Sequence, residues 1–460
     1  MSDTLMISVS GMRGHVGTDL TPELVARHAA ALGAWVCSSA ADVERHRPIV
    51  VLGRDARTSG PMFAHAAAAG LMSVGVDVVD LGVVPTPTVQ LAVEHHHAGA
   101  GLILTASHNP IEWNALKFVG PDGIFLDAAA GERVRTLAAD GPPRAGWDGI
   151  GEVREDPEAV MRHLDAILRL PAIDVAAIRR RGFHVALDCV RGAGAVAMLP
   201  LLERLECRVS GINLETDGRF PRPPEPVPEN LGDLGRLVRE SGADLGLAVD
   251  PDVDRLAIVD GAGRPIGEDY TLAFAVRAVL EGRSNPAKDP VVVVNLSTSL
   301  VVEDAARSVG ATVLRAPVGE ANVARAIREH GAAIGGEGNG GVMYPALHIG
   351  RDAPLGVALI LHLLATSGVT VAGLVDAAPR YTIVKAKAPR SSQLDSLYER
   401  LRRRFADATA DDRDGLRLAW IDRWLHIRPS GTEPIVRLIA EAPTPSEAEA
   451  LVAAGRELLQ

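Results

Sequence analysis

Four short polar loops contain the residues whose types and spacing could support catalysis. Each follows directly after a short apolar segment, and their sequences are Thr-Ala-Ser-His-Asn-Pro (105–110), Asp-Pro-Asp-Val-Asp-Arg (250–255), Gly-Gly-Glu-Gly-Asn-Gly-Gly (335–341) and Arg-Pro-Ser-Gly-Thr-Glu (428–433). Ligands of open α/β sheets bind beyond the carboxyl ends of strands. The four loops therefore predict one cleft that is assembled from four sides.

The loop at 250–255 has the composition of a cation site. Asp250, Asp252 and Asp254 alternate along the chain directly after an apolar strand. Mg²⁺ prefers oxygen ligands and keeps open positions for phosphate. A solvated acidic turn is the alternative, and Arg255 offsets some of the negative charge in either case.

The loop at 105–110 offers a candidate nucleophile, Ser107. A serine in a turn is usually a cap, and the Gly-x-Ser-x-Gly sequence of serine hydrolases is absent. The neighbouring residues nevertheless favour a catalytic role, because His108 is adjacent, an Asn-Pro turn follows, and Lys117 lies ten residues further on.

The loop at 428–433 has the composition of a phosphate cradle. Arg428 supplies a fork of donors, Ser430 and Thr432 supply hydroxyls, and Gly431 lets backbone N–H groups approach an anion. A surface turn is the alternative for this loop taken alone.

The glycine-rich loop at 335–341 is the candidate sugar site. Glycine at this density costs stability and is typical of a backbone that approaches a ligand closely. Glu337 and Asn339 are the side chains that would bind sugar hydroxyls.

Alternating β-branched runs and Ala/Leu-rich amphipathic stretches predict βαβ units with parallel strands around these loops. From about residue 375 the pattern changes to a basic helix and β-like segments, which indicates a smaller α+β domain. The sequence predicts four domains, at residues 1–150, 151–255, 256–372 and 373–460.

Composition restricts the function classes. The chain has 460 residues, with 47 basic and 58 acidic side chains and a formal net charge of −11, so we expect no nucleic-acid binding. Three separated cysteines, Cys37, Cys189 and Cys207, exclude a disulfide framework. The amino terminus does not resemble a signal peptide, and the apolar runs are too short to span a bilayer. We expect a cytoplasmic protein without a membrane partner.

Two competing patterns also occur. Residues 192–197 (Gly-Ala-Gly-Ala-Val-Ala) follow a strand, and Glu215 lies about twenty residues on, as in a dinucleotide-binding fingerprint that would make the protein a dehydrogenase. The run His95-His96-His97 suggests a metal. Consecutive helical side chains point in different directions, however, which favours a solvated helix end.

With its four loops in this order, the sequence resembles the α-D-phosphohexomutase family over nearly the whole chain. The resemblance implies an α/β fold with four domains around a central cleft, three related α/β domains with mixed sheets and a smaller α+β C-terminal domain. It also implies a reaction between hexose 6-phosphate and hexose 1-phosphate through a phosphoserine enzyme and a 1,6-bisphosphate. Mg²⁺ is the implied cofactor, hexose 1,6-bisphosphate the activator and a small sugar phosphate the partner, in a monomer or homodimer.

The resemblance also implies roles for individual residues. Ser107 would carry the phosphoryl group and ligate Mg²⁺ through it, together with the three aspartates. Arg13, in Gly-Met-Arg-Gly, would contact the transferring phosphate, and Lys117 would perform general acid/base work beside His108. The implied substrate-binding residues are Arg255, Glu337, Asn339, Arg428, Ser430, Gly431 and Thr432.

The sugar loop departs from the Gly-Glu-x-Ser-Gly-His form of many relatives. Asn339 replaces the serine and Gly341 the histidine, so His348 or Arg351 would have to substitute for that histidine. This style of loop is similar to archaeal-type phosphoglucosamine mutases, which favours glucosamine phosphate as substrate. Phosphomannomutase/phosphoglucomutase activity is the alternative. An Mg-dependent sugar-phosphate phosphohydrolase and a non-catalytic sensor are more remote ones.

Overall fold

Four β-sheets, each with its own helices, make up the computed structural model of the chain. It describes residues 5–8, 11–39, 47–281, 289–389, 394–430 and 435–459. We number the domains I to IV by these sheets.

Domain I is built on a seven-stranded mixed sheet of order β1-β2-β6-β5-β3-β4-β7. Its strands are β1 (Met6–Ser8), β2 (Gly11–His15), β3 (Ile49–Arg54), β4 (Asp77–Val83), β5 (Ala100–Leu104), β6 (Trp113–Val119) and β7 (Val153–Glu155). Its helices are α1 (Pro22–Ser39), α2 (Gly60–Met72), α3 (Thr86–His95) and α4 (Ala128–Asp140). The central β3 and β5 are parallel and covered by helices on both faces, which is why they are continuous apolar runs.

Domain II has a four-stranded sheet of order β11-β10-β8-β9, parallel except for β11. Its strands are β8 (His184–Asp188), β9 (Arg208–Ile212), β10 (Leu245–Val249) and β11 (Leu256–Asp260). Its helices are α5 (Ala159–Leu168), α6 (Val175–Arg181), α7 (Gly194–Arg204) and α8 (Gly232–Ser241).

Domain III repeats this plan, in the order β13-β12-β14-β15 with β15 antiparallel. Its strands are β12 (Val291–Asn295), β13 (Thr312–Ala316), β14 (Ile334–Glu337) and β15 (Gly341–Met343). Its helices are α9 (Asp269–Leu280), α10 (Leu300–Ser308), α11 (Glu320–His330), α12 (Ala353–Ser367) and α13 (Val371–Ala377). One continuous apolar cluster runs through domains II and III.

Domain IV is an antiparallel five-stranded sheet of order β16-β20-β19-β18-β17, covered by two helices. Its strands are β16 (Thr382–Pro389), β17 (Thr409–Asp411), β18 (Leu416–Ala419), β19 (Trp424–Pro429) and β20 (Ile435–Ala442). The helices are α14 (Leu394–Arg404) and α15 (Pro445–Leu459), and they bury a separate apolar cluster. The predicted fold class is thereby confirmed.

The sheets divide the chain differently from the domain limits predicted above. β7 pairs with β4, and β11 pairs with β10, so limits after residues 150 and 255 would each separate a strand from its own sheet. A limit after residue 372 would cut α13. The predicted limits assign β7 and β11 to the wrong domains because each strand follows a loop with the composition of a linker or a turn. Only the strand pairing shows to which sheet each belongs.

No single helix among the described residues is long and apolar enough to cross a membrane. The helices α12 and α13 reach that length and composition only as a pair, across a bend of 83°.

Candidate active site

Ser107 lies in the loop between β5 and β6, at the carboxyl end of a buried parallel strand. Its backbone is left-handed, with φ at +49°, a conformation that non-glycine residues seldom adopt. The hydroxyl Oγ donates to Asp250 Oδ2 at 2.9 Å and lies 3.4 Å from His108 Nδ1. The side chain is almost completely buried. The candidate nucleophile therefore meets the acidic loop directly, across 143 residues of sequence.

The three aspartates lie between β10 and β11 and are fully buried. Their ligand atoms all lie within 4.8 Å of one another. Asp252 Oδ2 accepts from Lys117 Nζ at 2.7 Å and from Thr86 Oγ1 at 2.8 Å. Asp254 Oδ2 accepts from Arg351 at 2.5 Å.

Each of the last two carboxylates keeps a second oxygen that is buried and accepts no hydrogen bond from the described part of the chain, although Arg255 Nε lies 3.7 Å from Asp254 Oδ1. Asp252 Oδ1 and Asp254 Oδ1 have no hydrogen-bond partner among the described residues. A buried carboxylate oxygen without a partner is costly. Together with Asp250, which contacts the serine hydroxyl, these oxygens form a set that fits a hard divalent cation such as Mg²⁺.

Charge states differ sharply within this cluster. Burial, reinforced by the charges of Asp254 and Asp252, raises the pKa of Asp250 well above its usual range. Burial also opposes ionisation of Asp252. The Lys117 ammonium and the hydrogen bonds that Asp252 makes outweigh this effect and lower the pKa of Asp252. A bound cation would neutralise the remaining repulsion.

Two further predicted residues, Arg13 and His108, flank the serine. Arg13 Nη1 donates to Asn109 Oδ1 at 2.6 Å. Burial lowers the pKa of Arg13 to about 10, which still leaves it charged at neutral pH. Burial and the nearby cations Arg255 and Arg13 hold the pKa of His108 well below its usual value, so its imidazole is neutral.

Ser107, His108, Arg13 and Lys117 line one cavity of about 400 Å³ that is rich in cationic side chains. Domains I, II and III all contribute to it. The charged residues of its lining are Arg13, Lys117, Arg255, Glu320, Arg325 and Arg351. Such a cavity is suited to a small anionic ligand.

The glycine-rich loop at 335–341 lies at the end of β14. Both carboxylate oxygens of its Glu337 accept hydrogen bonds from the protein. Glu337 Oε1 accepts from Asn295 Nδ2 at 2.8 Å and from the Gly319 amide at 3.0 Å. Its Oε2 accepts from Arg351 Nη1 at 2.9 Å. Asn339 Oδ1, in contrast, is buried and has no hydrogen-bond partner in the described structure, so it can accept from a ligand.

The structure distinguishes the two residues considered as substitutes for the sugar-loop histidine. Arg351 lines the cavity and contacts carboxylates from three elements: Asp254, Glu320 and Glu337. His348 donates instead to Asp352, a carboxylate that also accepts from the buried His163. Arg351 is therefore the residue in a position to act at the site.

In domain IV, Arg428 Nε donates to Asp414 Oδ2 at 2.8 Å, and the same oxygen accepts from the Val318 amide of domain III. Ser430 is buried at the end of β19. The predicted residues Gly431 and Thr432 lie outside the described residues.

The competing patterns have structural explanations. A Cβ on Gly192 would lie 2.5 Å from the Cα of Pro251, and the Ala193 amide donates to the Pro251 carbonyl. Thus the acidic loop occupies the space that a dinucleotide phosphate would need. The histidine run is the end of α3, where His96 contacts Asp156.

Sequence reasoning missed a buried pair, Asp55 and Arg57, beneath the serine loop. Both are completely buried and joined by a salt bridge of 3.0 Å. An Asp-x-Arg sequence at the end of a buried parallel strand was the available signal.

Family models match four successive parts of the chain, placing β11 with domain II and α13 with domain III and leaving β7 outside their matches. The phosphoglucomutase/phosphomannomutase α/β/α domains I, II and III match residues 5–143, 161–263 and 267–381. The C-terminal domain model of the same family matches residues 384–458.

Whole-chain comparisons find the same relatives. The chain is 37% identical over 455 residues to a phosphoglucomutase/phosphomannomutase of Thermococcus kodakarensis, covering 98% of this chain and 97% of the relative. It is 37% identical over 446 residues to a "probable phosphoglucosamine mutase" of Methanopyrus kandleri, covering 96% and 95%. A phosphoglucomutase/phosphomannomutase family protein of Burkholderia thailandensis superposes with a TM-score of 0.83 at 25% identity, covering 99% and 98%.

Proposed function

The chain belongs to the phosphoglucomutase/phosphomannomutase family of mutase isomerases, and from that premise we propose its particular reaction. It interconverts a hexose 6-phosphate and a hexose 1-phosphate by way of phosphorylated Ser107 and a hexose 1,6-bisphosphate. The observation that carries this proposal is the hydrogen bond from Ser107 Oγ to a buried carboxylate cluster with unpartnered oxygens.

The residues that would hold Mg²⁺ are Asp250, Asp252, Asp254 and phosphorylated Ser107. When bound, the cation supplies charge neutralisation for the transferring phosphoryl group. Its binding explains why two buried carboxylate oxygens can remain without a protein donor.

Phosphoryl transfer requires alignment and charge neutralisation more than covalent help. Arg13 and Arg255 line the cavity beside Ser107 and would bind the phosphoryl oxygens. As the bond from phosphorus to the serine oxygen breaks, a new bond forms to the sugar hydroxyl, whose proton must leave. Lys117, which faces the cavity and donates to Asp252, is the residue we assign to that proton; it would accept it as the neutral amine, after its own proton has left to solvent.

The second half of the reaction returns the other phosphate to Ser107 after the bisphosphate has turned over. Arg428 and Ser430 would bind the phosphate that is not being transferred, and the loop with Glu337 and Asn339 would bind the sugar. Hexose 1,6-bisphosphate added from solution would restore phosphorylation of a serine that has lost its phosphate.

Glucosamine phosphate is the substrate we propose, with mannose and glucose phosphates as the alternative. The Glu-Gly-Asn-Gly-Gly style of sugar loop and the phosphoglucosamine mutase name of one relative support this choice. Coupled assays with the 1-phosphates and 6-phosphates of glucosamine, glucose and mannose test it. A higher kcat/KM for glucose or mannose phosphate would contradict it.

Ser107→Ala tests the route itself. We expect the purified wild type to carry phosphate on the peptide of residues 101–117 and the variant to lose nearly all turnover. Full mutase activity in the variant would exclude the phosphoserine route, whatever the sugar.

A further inference from the structure

The Arg57 guanidinium lies beneath the serine loop and uses all five of its N–H donors there. Nη2 donates to the carbonyl oxygens of Ser107 and Asn109, both at 2.7 Å. Nη1 donates to the carbonyls of Pro110 at 2.6 Å and Trp113 at 2.8 Å. One side chain therefore fixes four carbonyl groups of the segment that carries the nucleophile.

Asp55 supplies the other half of this arrangement. Its Oδ2 accepts from Arg57 Nε at 3.0 Å and from Thr105 Oγ1 at 2.7 Å. Thr105 Oγ1 in turn accepts from the Ser107 amide at 2.9 Å. The peptide groups on both sides of Ser107 are thus held, the N–H through Thr105 and the carbonyl by Arg57.

A loop of domain II closes this arrangement from outside. The ring of Phe220 lies 5.0 Å from the Arg57 guanidinium carbon. A Cβ on Gly218 would lie 2.1 Å from the carbonyl oxygen of Ala56. This close packing leaves Arg57 and Asp55 without solvent exposure, so water cannot replace the hydrogen bonds if one partner is removed.

We propose that Arg57 and Asp55 are positioning residues for phosphoryl transfer. They hold residues 105–113 so that Ser107 keeps its left-handed backbone and its Oγ points at the carboxylate cluster. The inference rests on the proposed phosphoserine route. It predicts that these two residues control the reactivity of Ser107 rather than the affinity for sugar phosphate, since neither lines the cavity.

Arg57→Lys is the first variant because it keeps the charge but offers three donors in place of a planar fork of five. We expect kcat to fall about 100-fold, the usual order for a misplaced reacting group. The rate at which glucose 1,6-bisphosphate phosphorylates Ser107, measured by rapid quench and intact-protein mass spectrometry, should fall by a similar factor. KM for the sugar phosphate should change less than about threefold.

Arg27→Lys is the matched control. Arg27 is another arginine of domain I that donates to backbone carbonyls, those of Ala138 and Ala139 at 2.5 and 2.8 Å, away from the serine loop. We expect unchanged kcat and an unchanged phosphorylation rate. A folded Arg57→Lys protein with both rates at the wild-type level and only a lower melting temperature would overturn the proposal.

Thr105 provides a second test that decides the question if Arg57→Lys does not fold. Thr105→Ser keeps the hydroxyl and should keep both rates within about threefold, whereas Thr105→Val should lose at least about tenfold in both. Equal rates in the two variants would refute the positioning role. Wild-type protein that never carries phosphate on Ser107 would instead refute the phosphoserine route, so the two failures are distinguishable.

Discussion

Two parts of the proposed site, which we call its two ends, are built by opposite means. At the end formed by domains I and II, Ser107 and the three aspartates are buried and contact one another across domains. At the domain IV end, Arg428 sits on the rim of a small sheet with its own apolar core. The first end is preorganised by buried charge, and the second belongs to a domain that is attached to domain III by polar contacts.

Those polar contacts are few and specific. Glu441 of β20 is completely buried and accepts from the Leu300 amide at the start of α10, at 2.8 Å, and from Trp424 Nε1 at 2.6 Å. His426 of β19 contacts Ser297, and Asp414 contacts the Val318 amide. Domains II and III, in contrast, share one apolar cluster.

This difference suits the two tasks of a mutase. A transferring phosphoryl group needs donors and cation ligands that are already in place, because reorganisation during the reaction would raise the barrier. In the proposed reaction, the phosphate that is only held would have to be released when the bisphosphate turns over. A domain docked through hydrogen bonds can release it at lower cost than one fused through an apolar core.

The largest expected effect is at the preorganised end. Removal of divalent cations with EDTA should abolish activity, and Mg²⁺ should restore it. Asp252→Asn should lower kcat about 10³-fold, because Lewis-acid charge stabilisation contributes several kcal/mol. Steady-state kinetics across a Mg²⁺ titration provides the measurement.

Asp260→Asn is the control for that prediction. Asp260 is also buried and ends β11 in the same sheet, where it accepts from the Ala262 and Arg264 amides. Its replacement should lower stability without changing the Mg²⁺ requirement. Full activity of Asp252→Asn in the presence of EDTA would show that the cluster is a structural acidic turn.

The residues of the preorganised end could be named from the sequence because their chemistry is local. Three aspartates within five residues, and a Ser-His pair after a strand, are visible without any knowledge of packing. The left-handed backbone of Ser107 and the pairing of its hydroxyl with Asp250 were not visible. They depend on contacts between segments far apart in sequence.

The same limit explains the residues that were missed. Arg57 reaches the serine loop from 50 positions away, and the contact of Arg351 with Asp254, 97 positions away, was equally invisible although Arg351 itself was a candidate. No periodicity or spacing encodes such contacts. The fold class followed from the βαβ alternation, whereas the domain limits required knowledge of the pairing of β7 and β11.

The second prediction concerns the domain IV end. Arg428→Ala should raise KM more than it lowers kcat, because a contact to the stationary phosphate persists from ground state to transition state. A charge-assisted contact of about 1.5–3 kcal/mol corresponds to about one to two powers of ten in kcat/KM. The variant should also depend more strongly on added glucose 1,6-bisphosphate, because a variant that binds the proposed bisphosphate intermediate more weakly would release it more often.

Steady-state kinetics with and without that activator measures the effect. Arg423→Ala, which removes an exposed arginine of the same domain paired with Asp422 and Glu447, serves as the control. Unchanged KM and unchanged activator dependence in Arg428→Ala would show that the 428–433 loop does not bind the phosphate and is only a surface turn. The contrast between the two ends would then lose its functional meaning.

The smallest expected effect concerns the docking of domain IV and its pH dependence. His426 is completely buried, with Nδ1 2.8 Å from Ser297 Oγ and Nε2 2.7 Å from the Asp414 carbonyl. The Asp414 carbonyl can only accept, so Nε2 carries a proton, and in the neutral ring Nδ1 accepts from the Ser297 hydroxyl. Burial lowers the pKa of His426 to about 4; contact with Asp414 opposes this shift, and Arg428 and Arg417 add to it.

Because the folded pKa lies below the unfolded value of 6.5, the unfolded state binds the proton more readily between these limits. Neutral His426 therefore contributes fully to the free energy of opening of domain IV above pH 6.5. This contribution is lost as the pH falls toward 4. Between pH 7.5 and pH 5 the free energy of opening should drop by about 2 kcal/mol more in wild type than in His426→Gln. Hydrogen exchange of the 416–427 peptides should show about a 30-fold difference in protection. An identical pH response in both proteins would mean that His426 does not set the docking of domain IV.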